Sequence, residues 1–184
     1  TAPCWYVFQA SWVLQDHNRG AFDLLAQSGY DALAPDLYAC RFVPYHDPVA
    51  AGKEMSSLNF LDTTDQTVRG AALYLGKAGA KVGITGFCMG GALTVLAAIR
   101  VPEIKAAVCF YGLPPAQVAN PADVKVPLQG HFANRDDWIT PEAVNGFETA
   151  LETAHRNFEI HRYNADHGFV NEQRSVHERA CAEL

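Results

Sequence analysis

The sequence predicts an α/β protein with a mostly parallel central sheet and helices on both faces. Three observations carry this. Short apolar runs alternate with longer amphipathic ones along the chain. One apolar run passes through a glycine-rich turn directly into a helix-like segment. The residue types that do chemistry fall just past strand-like runs, where open parallel sheets gather their ligands.

Taken in order, Cys4 to Phe8 is aromatic and apolar and reads as a strand, Arg19 to Ser28 as an amphipathic helix, and Asp31 to Ala34 as a short second strand. Tyr38 to Leu58 is the least regular stretch, with Pro44, Pro48, Gly52 and several aromatics; it reads either as a lid or wall over a site or as an ordinary surface connection. Thr64 to Lys77 reads as a helix, Lys81 to Thr85 as a buried strand, and Ala92 to Ile99 as the helix after it. Strands are then expected at Ala106 to Tyr111, Pro127 to Phe132 and Phe158 to Tyr163, with helices at Pro141 to Ala154 and Glu172 to Glu183. The 184 residues, 49% of them hydrophobic, are enough for one substantial core, so a single domain over residues 1–184 is expected.

Composition excludes several classes of function. The formal charge is −6, and no basic run or aromatic-interleaved stripe of Lys and Arg occurs, which argues against a nucleic-acid partner. The five cysteines, Cys4, Cys40, Cys88, Cys109 and Cys181, are odd in number and contain no Cys-x-x-Cys pair. That argues for a reducing compartment and against a disulfide or zinc framework. No apolar stretch reaches transmembrane length, and the opening Cys4 to Phe8 run is too short for a secretory signal. A soluble cytoplasmic protein is expected.

The turn Gly86-Phe87-Cys88-Met89-Gly90-Gly91 between strand and helix reads as a nucleophile elbow carrying a thiol. A side chain there is pushed above the sheet, and the amides and dipole of the following helix favour a thiolate and an oxyanion. A buried cysteine beside a glycine-rich turn would give the same letters, so Cys88 needs partners. A base and an orienting acid are available. Asp136 lies in the turn after Pro127 to Phe132, with Asp137 as its competitor, and His167 follows Phe158 to Tyr163 in Asp166-His167-Gly168-Phe169. Nucleophile, acid, histidine, each just past a strand, is the chain order of α/β-hydrolases. The other histidines, His17, His46, His131, His155, His161 and His177, read as surface or packing residues, although His131 lies on an apolar strand that could approach the site. Neither a metal nor a cofactor is expected, because no His-x-His, His-Glu-x-x-His or Cys/His pairing occurs. Trp12, Tyr38, Phe87, Tyr111, Trp138 and Phe169 stand on or beside loops expected to face the site, and Trp12, Tyr38, Phe87 and Phe169 are taken as candidate substrate contacts.

Together the elbow, the segment Gly29 to Tyr38, the run Val68 to Leu75, the Asp136 turn and His167-Gly168-Phe169 resemble the dienelactone hydrolase family of cysteine α/β-hydrolases. The resemblance implies the α/β-hydrolase fold, with this chain short at both ends relative to the family. It implies a Cys88, His167, Asp136 triad that opens a small enol-lactone in the breakdown of aromatic compounds, with an oxyanion hole from the amides of Met89 and Ser11. The implied partner is a small lactone or ester, with no nucleic acid or membrane, and the chain acting as a monomer or weak homodimer. The chain departs from the pattern after its first strand, in Gln9-Ala10-Ser11-Trp12-Val13: the family's glutamate is replaced by Ala10 and its glycine by Val13. The arginines that hold a substrate carboxylate in the family have no clear match; Arg41 and Arg174 lie nearby in sequence but not at clearly equivalent positions. A general ester or thioester hydrolase with the same triad is the rival among enzymes. A degenerate fold that binds a small ligand without turnover is the rival from another class.

Overall fold

A computed structural model describes residues 4–8, 23–38, 48–77, 79–172 and 175–182. Six strands form one sheet: β1 Cys4–Phe8, β2 Asp31–Leu33, β3 Val82–Phe87, β4 Ile104–Phe110, β5 Leu128–Arg135 and β6 Phe158–Asp166. Every pairing is parallel, and the spatial order is β2-β1-β3-β4-β5-β6. The chain steps from β1 outward to β2, then returns to the other side of β1 with β3. This reversal leaves a crevice at the carboxyl end of β3, the place where such sheets bind ligands.

The helical elements are α1 over residues 23–27, α2 Pro48–Ser57, α3 Phe60–Asp62, α4 Arg69–Gly76, α5 Met89–Arg100, α6 Pro141–Thr153 and α7 Arg179–Ala182. Asn59 caps α3, its side chain accepting from the amides of Leu61 and Asp62. A π-helical stretch, Thr63–Val68, joins α3 to α4. Side chains alternate across a pleated strand, and here the alternation separates two cores. Val82 and Ile84 of β3 pack with Leu93, Leu96 and Ala97 of α5 on one face. Phe87 belongs to the opposite face, with Tyr111, Tyr163 and Phe169, against which Leu25 of α1 and Cys181 of α7 pack. Helices therefore cover both faces, as expected.

Register also lines up four rings across four strands. Phe87, Phe110, His131 and His161 are successive cross-strand partners, with centroids 4.9, 4.5 and 5.0 Å apart. Burial pushes His131 down to about 4, so the ring is neutral, and its Nδ1 lies 2.7 Å from the Tyr163 hydroxyl. It is a sheet-packing residue.

Two expectations about elements are corrected. The irregular stretch Tyr38 to Leu58 contains α2, which Pro48 can open because a first-turn residue needs no intrahelical N–H bond. The expected helix Glu172 to Glu183 is reduced, among the described residues, to Arg179–Ala182. Glu178 instead donates its amide to the Phe169 carbonyl at 3.0 Å, turning this segment back onto the end of β6.

Candidate active site

Cys88 is the single residue between β3 and α5, at φ 55° and ψ −117°. A non-glycine residue in that region is strained, and such strain is kept only where the surroundings impose it. Its amide donates to the Phe110 carbonyl at 3.0 Å, and its carbonyl accepts from Ala92 at 3.1 Å. Three glycines let the backbones close on it. A Cβ at Gly86 would run into the Gly90 carbonyl, one at Gly91 would lie 2.7 Å from the Phe110 oxygen, and one at Gly112 would overlap the Cys88 carbonyl. Gly112→Ala is accordingly expected to destabilise the protein by roughly 2 to 4 kcal/mol, because the clash is with backbone rather than a movable side chain. Urea unfolding would register this as a lower midpoint, and an unchanged midpoint would mean that the end of β4 can back away from the elbow.

Asp136 follows β5 directly and is buried, with only 3% of its surface exposed. Its Oδ1 accepts from the amides of Trp138 and Ile139 at 2.8 and 2.9 Å, and its Oδ2 lies 2.7 Å from His167 Nδ1. Burial alone would raise its carboxyl, but the hydrogen bonds from His167 and the two amides, with the histidine's charge, outweigh it and hold the group below the usual carboxylate range. Asp137, the competing acid, is exposed.

His167 follows β6, and Gly168 at φ 87° turns the chain beneath it. Burial opposes a charge on the ring. The hydrogen bonds to Asp136 and Cys88, and the charges of both, more than offset it and raise the imidazole to about 9. With Nδ1 held by Asp136, Nε2 is the nitrogen left for the thiol. Tyr111 packs edge-on against the ring at 5.0 Å, and Trp138 lies tilted at the same distance, so two π systems flank the imidazolium. Tyr111 does this from a left-handed backbone, φ 37°.

Cys88 and His167 open onto a cavity of about 290 Å³. Met55, Phe60, Leu113, Pro115, Trp138 and Ile139 form much of its wall, with Met89 and Ala92 of α5 and Tyr111. Sequence-predicted contacts divide here. Tyr38 and Phe169 are completely buried and Phe87 nearly so; none of the three lines the cavity. Phe87 and Phe169 pack beneath the site, while the Tyr38 hydroxyl donates to Met89 Sδ at 3.3 Å and so braces the first turn of α5. Ser11 and Trp12, with Ala10, Val13, Arg41 and Arg174, lie outside the described residues. Met55 and Phe60 are wall residues that the sequence reading does not single out; Met55 falls within the lid-or-wall stretch Tyr38 to Leu58, and Phe60 lies just beyond it.

The sequence model of the dienelactone hydrolase family matches residues 2–184. The chain belongs to the dienelactone hydrolase family. A protein of Aquifex aeolicus named as a carboxymethylenebutenolidase is 30% identical over 97% of this chain and 83% of its own length. Its namesake in Escherichia coli K12 is 31% identical over 98% of this chain and 72% of the relative. A crystal structure described as a dienelactone hydrolase of Klebsiella pneumoniae superposes with a TM-score of 0.90, at 31% identity, over 99% of this chain and 82% of the other. Membership of the dienelactone hydrolase family fixes the fold as that of the α/β-hydrolases and the class as carboxylic ester hydrolase. The family acts on small-molecule esters. No helix among the described residues is long and apolar enough to cross a membrane, and no group of His, Cys, Asp and Glu among them could hold a metal ion.

Proposed function

We propose that the protein hydrolyses a small enol-lactone or activated aryl ester by acyl transfer through Cys88, His167 and Asp136. The observation that carries the reading is the 2.7 Å hydrogen bond donated to a buried carboxylate by the imidazole that, among the described residues, shares a cavity with a strained elbow cysteine. His167, held in one tautomer by Asp136, keeps Cys88 as the thiolate of an ion pair. The sulfur attacks the ester carbonyl, and the electron pair moves onto the oxygen. The amide of Met89 at the start of α5 receives that oxyanion; the Ser11 amide is the second donor on the family resemblance. One such donor contributes roughly 3 to 4 kcal/mol in comparable hydrolases. Collapse of the tetrahedral adduct expels an enolate or phenolate, which takes the proton from His167 Nε2. Water, deprotonated by the same nitrogen, then cleaves the thioester and regenerates the thiol. A thiolate is a better leaving group than an alkoxide or amide ion, so substrates with stabilised leaving groups are favoured. The enol-lactone of aromatic-compound breakdown fits that requirement, and the names of the relatives point the same way.

Brief mixing with an activated aryl ester, acid quenching and mass analysis of the Cys88 peptide test the reading. An acyl adduct on that peptide, absent from Cys88→Ser, supports it; turnover that leaves Cys88 unmodified overturns it.

The ion pair also sets a pH profile. His167 retains its proton until about 9, so kcat/KM is expected to hold through neutrality and to fall as the imidazolium deprotonates near that value. The stability contribution follows the same sign: it is complete below the unfolded value near 6.5 and lost as pH rises through about 9, whereas that of Asp136 is lost as pH falls through its lowered value. A rate profile whose alkaline limb begins near 6.5 would contradict the ion pair.

A further inference from the structure

The strand that ends in His167 carries one residue more than the strand that ends in Asp136. β5 and β6 run in register to Ala133 and Tyr163, and their pairing resumes at Arg135 and Asp166. Between these pairs lies Asn134 on β5, but both Asn164 and Ala165 on β6, so the bulge is on the histidine's strand. The count matters because a one-residue change of phase exchanges every later partner. Continued from Ala133 and Tyr163 without the extra residue, Asp136 would stand level with Asp166, and Asp137 level with His167. With it, the next pair after Arg135 and Asp166 is Asp136 and His167, the two that meet at 2.7 Å.

A bulge interrupts the ladder, and its backbone groups need other partners. One side chain supplies much of this. The Arg135 guanidinium donates through Nη1 to the Asn164 carbonyl and to Asn164 Oδ1, both at 2.8 Å, and through Nε to Asp166 Oδ1 at 2.9 Å. Its Nη2 lies 3.8 Å from Glu178 Oε1, and Glu178 is itself tied through its amide to the Phe169 carbonyl. From the position next to Asp136, Arg135 thus grips the chain before His167 and the segment bound to the chain after it. A planar fork of five donors can span such a set of acceptors; a lysine ammonium cannot.

We infer that Arg135 is a positioning residue, locking the bulge of β6 in the phase that presents His167 to Asp136 rather than to Asp137. The inference rests on the thiol-triad reading and deepens it. The Arg135 and Asp166 side chains are 45% and 44% exposed, and exposed ion pairs add little to stability. The effect of Arg135 is therefore expected in the rate and in the state of the thiol, not in unfolding.

The test assays wild type, Arg135→Ala, Arg135→Lys and Cys88→Ser with p-nitrophenyl acetate, and follows iodoacetamide alkylation of the Cys88 peptide against pH. Arg135→Ala is expected to lower kcat/KM roughly 10-fold or more, because small misplacements of reacting groups cost up to about 10²-fold, while the urea midpoint stays near that of wild type. Alkylation, nearly flat through neutrality in wild type, is expected to rise with pH in the variant, since a displaced carboxylate no longer holds the imidazolium that keeps the thiolate. Loss of a nearby cation would by charge alone favour the imidazolium, so a change in this direction reports position. Arg135→Lys keeps the charge without the fork and is expected to fall between wild type and Arg135→Ala; it decides the matter by the same two readouts if the alanine variant does not fold. A kcat/KM within twofold of wild type, or an alkylation profile that stays flat, with turnover abolished in Cys88→Ser, overturns the inference and leaves the triad standing. Turnover that survives Cys88→Ser overturns the triad reading and the inference with it.

Discussion

Cys88→Ser is expected to lower kcat/KM on an activated aryl ester on the order of 10⁴-fold, although it changes one atom. The reason lies in how the site is poised. His167 is raised to about 9 partly by its hydrogen bond and charge interaction with Cys88, so the folded site is matched to a thiolate beside an imidazolium. A serine hydroxyl is far less acidic than a thiol and cannot form that pair. The imidazole must then act as an ordinary base on a poor acid, with the oxygen on a shorter bond than the sulfur it replaces. Steady-state rates check this, and activity within tenfold of wild type would remove Cys88 from the role of nucleophile. The fold should be unaffected, since the hydroxyl also suits a half-buried position facing a cavity.

The second large effect is expected at Asp136→Asn, with a loss of roughly 10³ to 10⁴ in kcat/KM and little change in stability. An asparagine oxygen can still accept from the Trp138 and Ile139 amides, so the turn after β5 is retained. What changes is the other end. An amide –NH₂ facing His167 Nδ1 favours the tautomer with its proton on Nε2, and the charge that held the imidazolium is gone. The ion pair should collapse to neutral thiol and neutral imidazole. Alkylation of Cys88 by iodoacetamide against pH reads this directly: wild type should react with little pH dependence through neutrality, and the variant increasingly as pH rises. Equal alkylation profiles would assign Asp136 to the turn alone.

The alternation of strands and helices was legible because each strand is an apolar run and each is followed by a turn or a helix of opposite periodicity; the spatial order of the strands is set by tertiary pairing and was not. Lengths were less so. β5 and β6 continue to Arg135 and Asp166, beyond the apolar runs, because a bulge near Ala133 lets Arg135 pair with Asp166. Asn134 and Asn164 suggest turns by residue type, and backbone pairing overrides them. The three candidate catalytic residues were readable because strand ends are marked in sequence. The wall was not: Met55 and Phe60 sit five residues apart on α2 and α3, and that two short elements approach the thiol is a matter of tertiary packing. Tyr38 shows the converse, since position beside a predicted loop does not distinguish a residue that faces a substrate from one that braces Met89.

The reacting groups hang from β3, β5 and β6, while several wall residues belong to α2, α3 and the loop after β4. The sheet is held by its own ladder and by α5, whereas Met55, Phe60 and Leu113 reach the cavity from outside the sheet while packing against the main core. Variation at the wall therefore alters which molecules enter without disturbing how they are cleaved. A lineage built on this arrangement could diversify its diet through a handful of substitutions, provided that each keeps the apolar bulk Met55, Phe60 and Leu113 present to the core, and a protein engineer has the same freedom.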